Sequence, residues 1–163
     1  MTGPIFTGLL FSTVVILLSY YNPESCRVVI GMFFLISGAV FNFASIIVRP
    51  FFVYQHGMTA HFALYRDFTE KIIGMNPILF GIMLILFQLA VGLMILGKDR
   101  WVNRGLFIAS LFMIMLIPLH QYRFSLALCV PSLIYLMGKN DGKSFFDMIN
   151  EMKVKIKPGQ NSL

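Results

Sequence analysis

The sequence predicts an all-α integral membrane protein: a polytopic transmembrane helical bundle of about five spans with two interfacial amphipathic helices. The 163 residues are 58% hydrophobic and 12% charged. The charged residues are confined to short stretches between long uncharged runs, which is typical of chains that cross a bilayer. A span needs about 20 apolar residues to cross about 30 Å of hydrocarbon, so the chain has room for four or five. We therefore expect residues 1–163 to form a single membrane domain.

Two apolar runs in the first third of the chain are predicted to span, at residues 4–20 and 28–48. A proline opens the first run at a position where helices tolerate it. No lysine or arginine precedes this run, so we expect a retained helix and not a signal peptide. Arg27 opens the second run, and Arg49-Pro50 ends it because proline lacks a backbone donor and restricts the residue before it.

Three further runs are predicted to span at residues 77–97, 103–119 and 124–138. Asn76-Pro77 opens the first of these as a cap followed by proline at the first helical position. A basic turn containing Trp101, a residue suited to the headgroup layer, precedes the next. A single helix through the last two runs would be much longer than the bilayer is thick, so a hairpin is predicted.

Two amphipathic segments are predicted at residues 60–73 and 144–156. The first is expected to lie on the membrane surface or to fold over the bundle, and the second to lie at the membrane interface. Thr59 is the predicted cap of the first, and Ser144 with Asp147 forms a predicted capping box for the second. Each segment has an apolar stripe at helical spacing. The stripes are formed by Phe62, Tyr65, Phe68 and Ile72, and by Phe145, Ile149, Met152 and Ile156.

The basic residues predict the orientation of the bundle. With five spans, nine of the 13 lysines and arginines share one face, which the positive-inside rule makes cytoplasmic, so the N-terminus is outside. The membrane is then a bacterial inner membrane, with an organellar membrane as the alternative. The net charge of +6 is concentrated near the C-terminal lysines, which favours anionic lipid headgroups over nucleic acid as the partner.

Polar residues within or beside the spans are the candidates for function. Asn42 and Gln88 lie inside predicted spans, where amides hydrogen-bond between helices or contribute to a ligand or proton path. The predicted topology also collects a polar site on the outer face, composed of Arg49, His56, His61, Arg66, His120 and Arg123. Histidines five apart do not share a helix face, so no metal site is predicted. A quinone is the more natural ligand, because histidine can hydrogen-bond a carbonyl while Phe51, Phe52, Tyr54 and Phe62 contact the ring.

Catalysis has little support in the sequence, and no catalytic residue is predicted. Cys26 and Cys129 belong to no CxxC pair, and neither has a histidine beside it in sequence. Cys129 lies in an apolar stretch where its thiol stays protonated. The sequence thus leaves enzyme activity open and favours a protein without it.

Two segments carry a resemblance to a known family. Residues 27–38 have an arginine followed by glycines seven apart, and residues 87–97 form a glycine-containing helix followed by a basic turn and a hairpin. This pattern over residues 27–138 resembles the DoxX-like superfamily of small four-helix membrane proteins, with the first span as an addition. Gln88 stands where family members often have a glutamate, which removes a titratable group from that position.

The resemblance implies a redox-linked or assembly role, since the family includes a subunit associated with thiosulfate:quinone oxidoreduction and members tied to redox stress and to chaperoning of membrane proteins. The leading hypothesis is an accessory or assembly subunit that packs against other subunits of a larger membrane complex. The alternative is a quinone-interacting redox protein. A small transporter is the second alternative, with Pro131 as the candidate helix break.

Overall fold

The computed structural model describes residues 3–117, 127–139, 143–147 and 149, with side chains from residue 6 onward, and all regular structure in these ranges is helical. The predicted all-α class is therefore confirmed for the described chain. The α-helices are α1 (Gly3–Tyr21), α2 (Pro23–Ile36), α3 (Phe43–Val48), α4 (Phe52–Met58), α5 (Ala63–Phe68), α6 (Pro77–Leu96), α7 (Arg100–Leu116) and α8 (Val130–Met137). Two π-helical segments, π1 (Ser37–Asn42) and π2 (Thr69–Ile73), follow α2 and α5.

Two helical stretches are long and apolar enough to cross a membrane. One is continuous from Pro23 to Val48 through α2, π1 and α3, with a mean hydropathy of 2.0. The other is α6, with a mean hydropathy of 2.7, and it matches the predicted span at residues 77–97. Residues Phe6–Tyr21 of α1 form a shorter apolar helix. These lengths are compatible with a membrane protein.

The helices pack around α6 and α7. Helix α6 contacts α2 and α7, α8 packs on α7, and α1 packs on α2 and α8. The core between them is formed by fully buried side chains, among them Phe34, Ile95, Leu106 and Leu133.

Glycines allow α2 and α6 to approach closely. A Cβ atom added at Gly92 would lie 2.8 Å from Leu35 Cγ and 3.0 Å from the Gly31 carbonyl oxygen. A Cβ atom at Gly31 would lie 2.7 Å from two side-chain atoms of Leu96. Close backbone approach through small residues is a common packing mode of helices in membranes.

Two helices begin upstream of the spans predicted within them. The second span was placed at residue 28, but α2 begins at Pro23, since the Asn22 side chain accepts a hydrogen bond from the Ser25 amide at 3.0 Å. Arg27 is therefore inside the helix. The fourth span is predicted to begin at residue 103, whereas α7 begins at Arg100. The residue before it, Asp99, has a φ of 53°, which is incompatible with a right-handed helix and sets the start of α7.

The predicted interfacial helix at residues 60–73 is divided differently in the structure. An additional helix, α4, precedes it, and Thr59 ends this helix with its hydroxyl donating to the His56 carbonyl at 2.9 Å. The next helix then begins at Ala63 and continues into π2, which ends at Ile73, the predicted end of the segment. Within π2, Thr69 and Ile73 are buried, whereas the predicted stripe residue Ile72 is exposed.

The last predicted elements are partly described. Helix α8 covers eight residues, or about 12 Å at 1.5 Å per residue, and Pro131 lies in its first turn. Residues 118–126, which contain the end of the fourth predicted span and the start of the fifth, are outside the described chain.

The predicted capping box of Ser144 and Asp147 is confirmed. The Asp147 carboxylate accepts hydrogen bonds from the Ser144 amide and hydroxyl, and these hold the pKa of Asp147 below its ordinary value. Of the predicted helix at residues 144–156, only 145–147 and 149 are described as helical.

A substitution at Gly92 tests the close packing of α2 and α6. Gly92→Val is expected to cost about 1–3 kcal/mol of stability, because its side chain meets Leu35 and the Gly31 backbone. Ala90→Val is the matched control, since Ala90 is exposed on the same helix, and its effect should stay within about 0.5 kcal/mol. Unfolding of the purified protein in mild detergent measures both, and equal effects would contradict the packing.

Candidate functional site

A cavity of about 440 Å³ lies between the bundle and a lid segment, defined here as residues 52–73. Its volume is in the range of sites for small organic ligands. Bundle residues form one wall, and the lid forms the other. The polar lining residues are Asn42, His56, Tyr65 and Thr69, and the apolar ones include Phe52, Leu64, Phe68, Phe80, Leu84, Phe112, Met115 and Leu116.

The π1 segment places Asn42 at the cavity wall. Asn42 ends this segment, and its Nδ2 donates a hydrogen bond of 2.5 Å to Oε1 of Gln88 on α6. Gln88 is only 7% exposed. Gly38 permits the approach, because a Cβ atom there would lie 2.9 Å from the Gln88 Cβ. Single π turns within α-helices are frequent at functional sites, so this distortion marks the cavity as a candidate site.

Close contact between α4 and π2 holds the lid together. The buried Thr69 hydroxyl donates to the Tyr65 carbonyl at 2.7 Å and lies directly against Gly57. A Cβ atom at Gly57 would approach the Thr69 Oγ1 to 2.1 Å, a distance no side chain tolerates. Gly57 is therefore required for the lid to fold back on itself.

His56 lies at the boundary between the lid and the cavity. Its Nδ1 is 3.0 Å from the Phe52 carbonyl oxygen one turn earlier, and its ring lies 4.1 Å from the Phe52 ring, centroid to centroid. These two contacts fix the rotamer of a half-buried imidazole that lines the cavity. His56 is thus a positioned polar group in an otherwise apolar surrounding.

Aromatic rings form much of the remaining wall. Phe68 of the lid meets Phe80 of α6 edge-to-face at 6.2 Å between centroids. Phe112 of α7 packs against Phe87 at 5.3 Å. A mainly apolar cavity with several aromatic rings and a few fixed polar groups suits a flat or branched apolar molecule that has a small polar head.

The structure separates the predicted outer-face residues. His56 lines the cavity, whereas Arg49, His61 and Arg66 are exposed and do not line it. His120 and Arg123 are outside the described residues. Among the aromatic residues predicted to contact a ring, Phe52 lines the cavity, but Phe51, Tyr54 and Phe62 do not.

Several lining residues were not identified from the sequence. Tyr65 and Phe68 were assigned to the apolar stripe of the first amphipathic segment, and in the structure they line the lid side of the cavity. Phe80 and Phe112 lie in apolar runs where nothing distinguishes a cavity residue from a lipid-facing one. The glycine at position 57, between His56 and Met58 in a segment with several aromatic residues, was the available signal for a tight lid.

The two cysteines lie apart from the cavity. Both thiols are buried against α1: Cys26 Sγ is 3.3 Å from the Val15 carbonyl oxygen, and Cys129 Sγ is 3.3 Å from the Ser12 hydroxyl. They therefore serve as packing residues of the core. Across the described ranges, no group of three or more His, Cys, Asp or Glu side chains is arranged to hold a metal ion.

No family model, curated protein or solved structure matches this chain. The resemblance to the DoxX-like superfamily therefore stays a prediction. Its two segments, residues 27–38 and 87–97, pack against each other in the structure through Gly31 and Gly92.

The pairing of Asn42 with Gln88 predicts a measurable coupling. In a double-mutant cycle of Asn42→Leu and Gln88→Leu, we expect a coupling energy of about 0.6–2 kcal/mol, the range for interhelical hydrogen bonds in membranes. The exposed lid residue Gln55 supplies a control, because Gln55→Leu and Gln88→Leu should be additive. Additive effects of Asn42→Leu and Gln88→Leu would show that the amides do not interact.

Proposed function

We propose that this chain is a multi-pass membrane protein that binds an amphiphile of the quinone class in the cavity beneath the lid. The observation that carries the proposal is the combination of an apolar cavity of about 440 Å³, lined in part by aromatic rings, with fixed polar groups on both walls: Asn42 on the bundle and His56 on the lid. A quinone has a flat ring with oxygen atoms at its edge and an apolar tail, which matches this arrangement. Asn42 and His56 are the groups proposed to contact the head.

The surface of the bundle supports a lipid environment for this site. Large apolar side chains remain exposed along the whole of α6, including Met83 at 60%, Leu86 at 61% and Leu93 at 63%. Soluble monomers rarely expose such continuous apolar surface. A ligand that partitions into the bilayer would reach the cavity without passing through water.

We propose five crossings, with the N-terminus outside and the C-terminus cytoplasmic. The crossings are α1, the stretch from Pro23 to Val48, α6, α7 and the apolar run that contains α8. Basic residues at one end of the bundle support the orientation. There, Arg27 donates to the Lys143 carbonyl, and Lys143 Nζ is 3.8 Å from a Glu24 carboxylate oxygen.

The accessory-subunit role stays a prediction. Exposed apolar helix faces are suited equally to lipid tails and to other membrane subunits. The cavity favours ligand binding over a purely structural role, because a structural subunit has no need for fixed polar groups around an open volume.

Labelling of introduced cysteines tests the orientation of α6. Arg49 and Lys98 are exposed residues on either side of this helix, and both native cysteines are fully buried and should not react. In intact cells or sealed vesicles of known orientation, a membrane-impermeant maleimide should label Arg49→Cys from outside and Lys98→Cys only after permeabilisation. Labelling of both from one side would contradict a crossing by α6, and reversed labelling would contradict the orientation.

A cavity-filling substitution tests ligand binding. The full chain in lipid nanodiscs is titrated with a benzoquinone that has a ten-carbon alkyl tail, and bound ligand is quantified after extraction. Leu84→Trp is expected to abolish saturable binding, because the larger ring occupies the cavity. Leu86→Trp is the matched control on the lipid-facing side of the same helix and should bind normally. If the benzoquinone only partitions into the lipid without saturation, to the same extent for the unaltered chain and for both variants, the proposal is overturned.

A further inference from the structure

One exposed face of α7 combines two cations with an apolar stripe. Arg100 and Arg104 lie one turn apart at the start of the helix, and the same face continues with Phe107, Leu111 and Ile114 at spacings of three and four residues. All five side chains are exposed, and about half of the surface of each apolar one is accessible. The helix buries its opposite face against α6 and α8. Packing within the described chain therefore leaves this face uncovered.

The guanidinium of Arg104 is held in place by the indole of Trp101. Its Cζ atom lies 5.4 Å from the ring centroid, which is a cation–π contact across one helical turn. Among the residues that the structure describes, neither Arg100 nor Arg104 forms an ion pair. A planar guanidinium binds a phosphate through paired N–H donors. Two such groups on one helix face are therefore suited to an anionic phosphate.

The charge and the length of this face fit a phospholipid better than a free anion. Residues 98–104 carry three positive charges against one negative charge, which complements an anionic headgroup. From Arg104 to Ile114 the helix rises about 15 Å at about 1.5 Å per residue, which is the depth of one leaflet in a hydrocarbon layer about 30 Å thick. An acyl chain can follow the stripe while its phosphate lies at the arginines. Inorganic phosphate has no group for the stripe.

We infer that this face of α7 binds one anionic phospholipid, with the headgroup at Arg100 and Arg104 and an acyl chain along the apolar stripe. The site is separate from the cavity, since none of these five residues lines it. The inference goes beyond the proposed quinone-class ligand but rests on the proposed crossing of the bilayer by α7. It adds a defined site to the headgroup contacts that the sequence predicts for the C-terminal lysines.

Fluorescence of Trp101 measures binding at this site, because it is the only tryptophan in the chain. The full chain is reconstituted in phosphatidylcholine vesicles with increasing fractions of phosphatidylglycerol whose acyl chains carry bromine, a contact quencher. Brominated phosphatidylcholine in the same vesicles gives the reference. We expect phosphatidylglycerol to occupy the site about 25-fold in preference to phosphatidylcholine, because each arginine contributes about fivefold.

A pair of charge-removing variants tests where the preference arises. Arg104→Gln should lower it to about fivefold, since one of the two cations is lost. Lys139→Gln is the matched control, because Lys139 Nζ also lies over an aromatic ring, 5.9 Å from the centroid of Tyr135, on the same side in the proposed topology. It should leave the preference unchanged. Each preference is a ratio between two lipids for one protein, so a change in Trp101 emission does not affect it.

The outcomes separate this inference from the proposed function. If both brominated lipids quench Trp101 equally, α7 lies in the bilayer and the inferred site is wrong. If neither lipid quenches it, the proposed crossing by α7 fails as well. An equal loss of preference in Lys139→Gln and Arg104→Gln would show general attraction of charge and overturn the site. Recovery of fluorescence on addition of inorganic phosphate, but not of chloride at equal ionic strength, would show a phosphate site and also overturn it.

Discussion

The hydrogen bond between Asn42 and Gln88 joins the two helical stretches that are long and apolar enough to cross a bilayer. Gln88 is buried and Asn42 is half-buried, so each amide would cost free energy without the other. Together with the contact of Gly31 and Gly92, this bond sets the register of the stretch from Pro23 to Val48 against α6. The π1 segment follows from the same constraint, because its wider turn brings Asn42 to Gln88.

The cavity depends on this register and on the lid. Asn42 belongs to both the interhelical hydrogen bond and the cavity wall, so the packing of the bundle also positions a polar group for a ligand. The lid closes the opposite side because Gly57 allows Thr69 to approach its backbone. The hydrogen bond between Asn42 and Gln88 thus stabilises the helix packing, and the contact of Gly57 with Thr69 holds the lid that forms the other wall of the cavity.

Hydrophobic runs predicted the two long helical stretches, because a long uncharged stretch that begins after Asn-Pro or ends at Arg-Pro is typical of a single apolar helix. Helices α2 and α7 extend beyond the predicted apolar runs into polar sequence, to the cap at Asn22 and to Asp99 with its positive φ. The cavity was only partly predictable. Asn42 and His56 were identified as polar residues in or near apolar segments, but their grouping depends on π turns that shift side-chain register and leave no periodicity to detect.

Photoaffinity mapping tests the central claim, that a lipid-soluble ligand occupies the space between lid and bundle. A ten-carbon-tailed benzoquinone with a photoreactive group on its ring is incorporated into nanodiscs with the full chain, and modified peptides are identified by mass spectrometry. Modification concentrated in residues 52–69 and 112–116, and suppressed by excess unmodified benzoquinone, is the predicted result. Modification spread over lipid-facing residues such as Leu86 and Leu93, with the lid unmodified and no competition, would contradict the account.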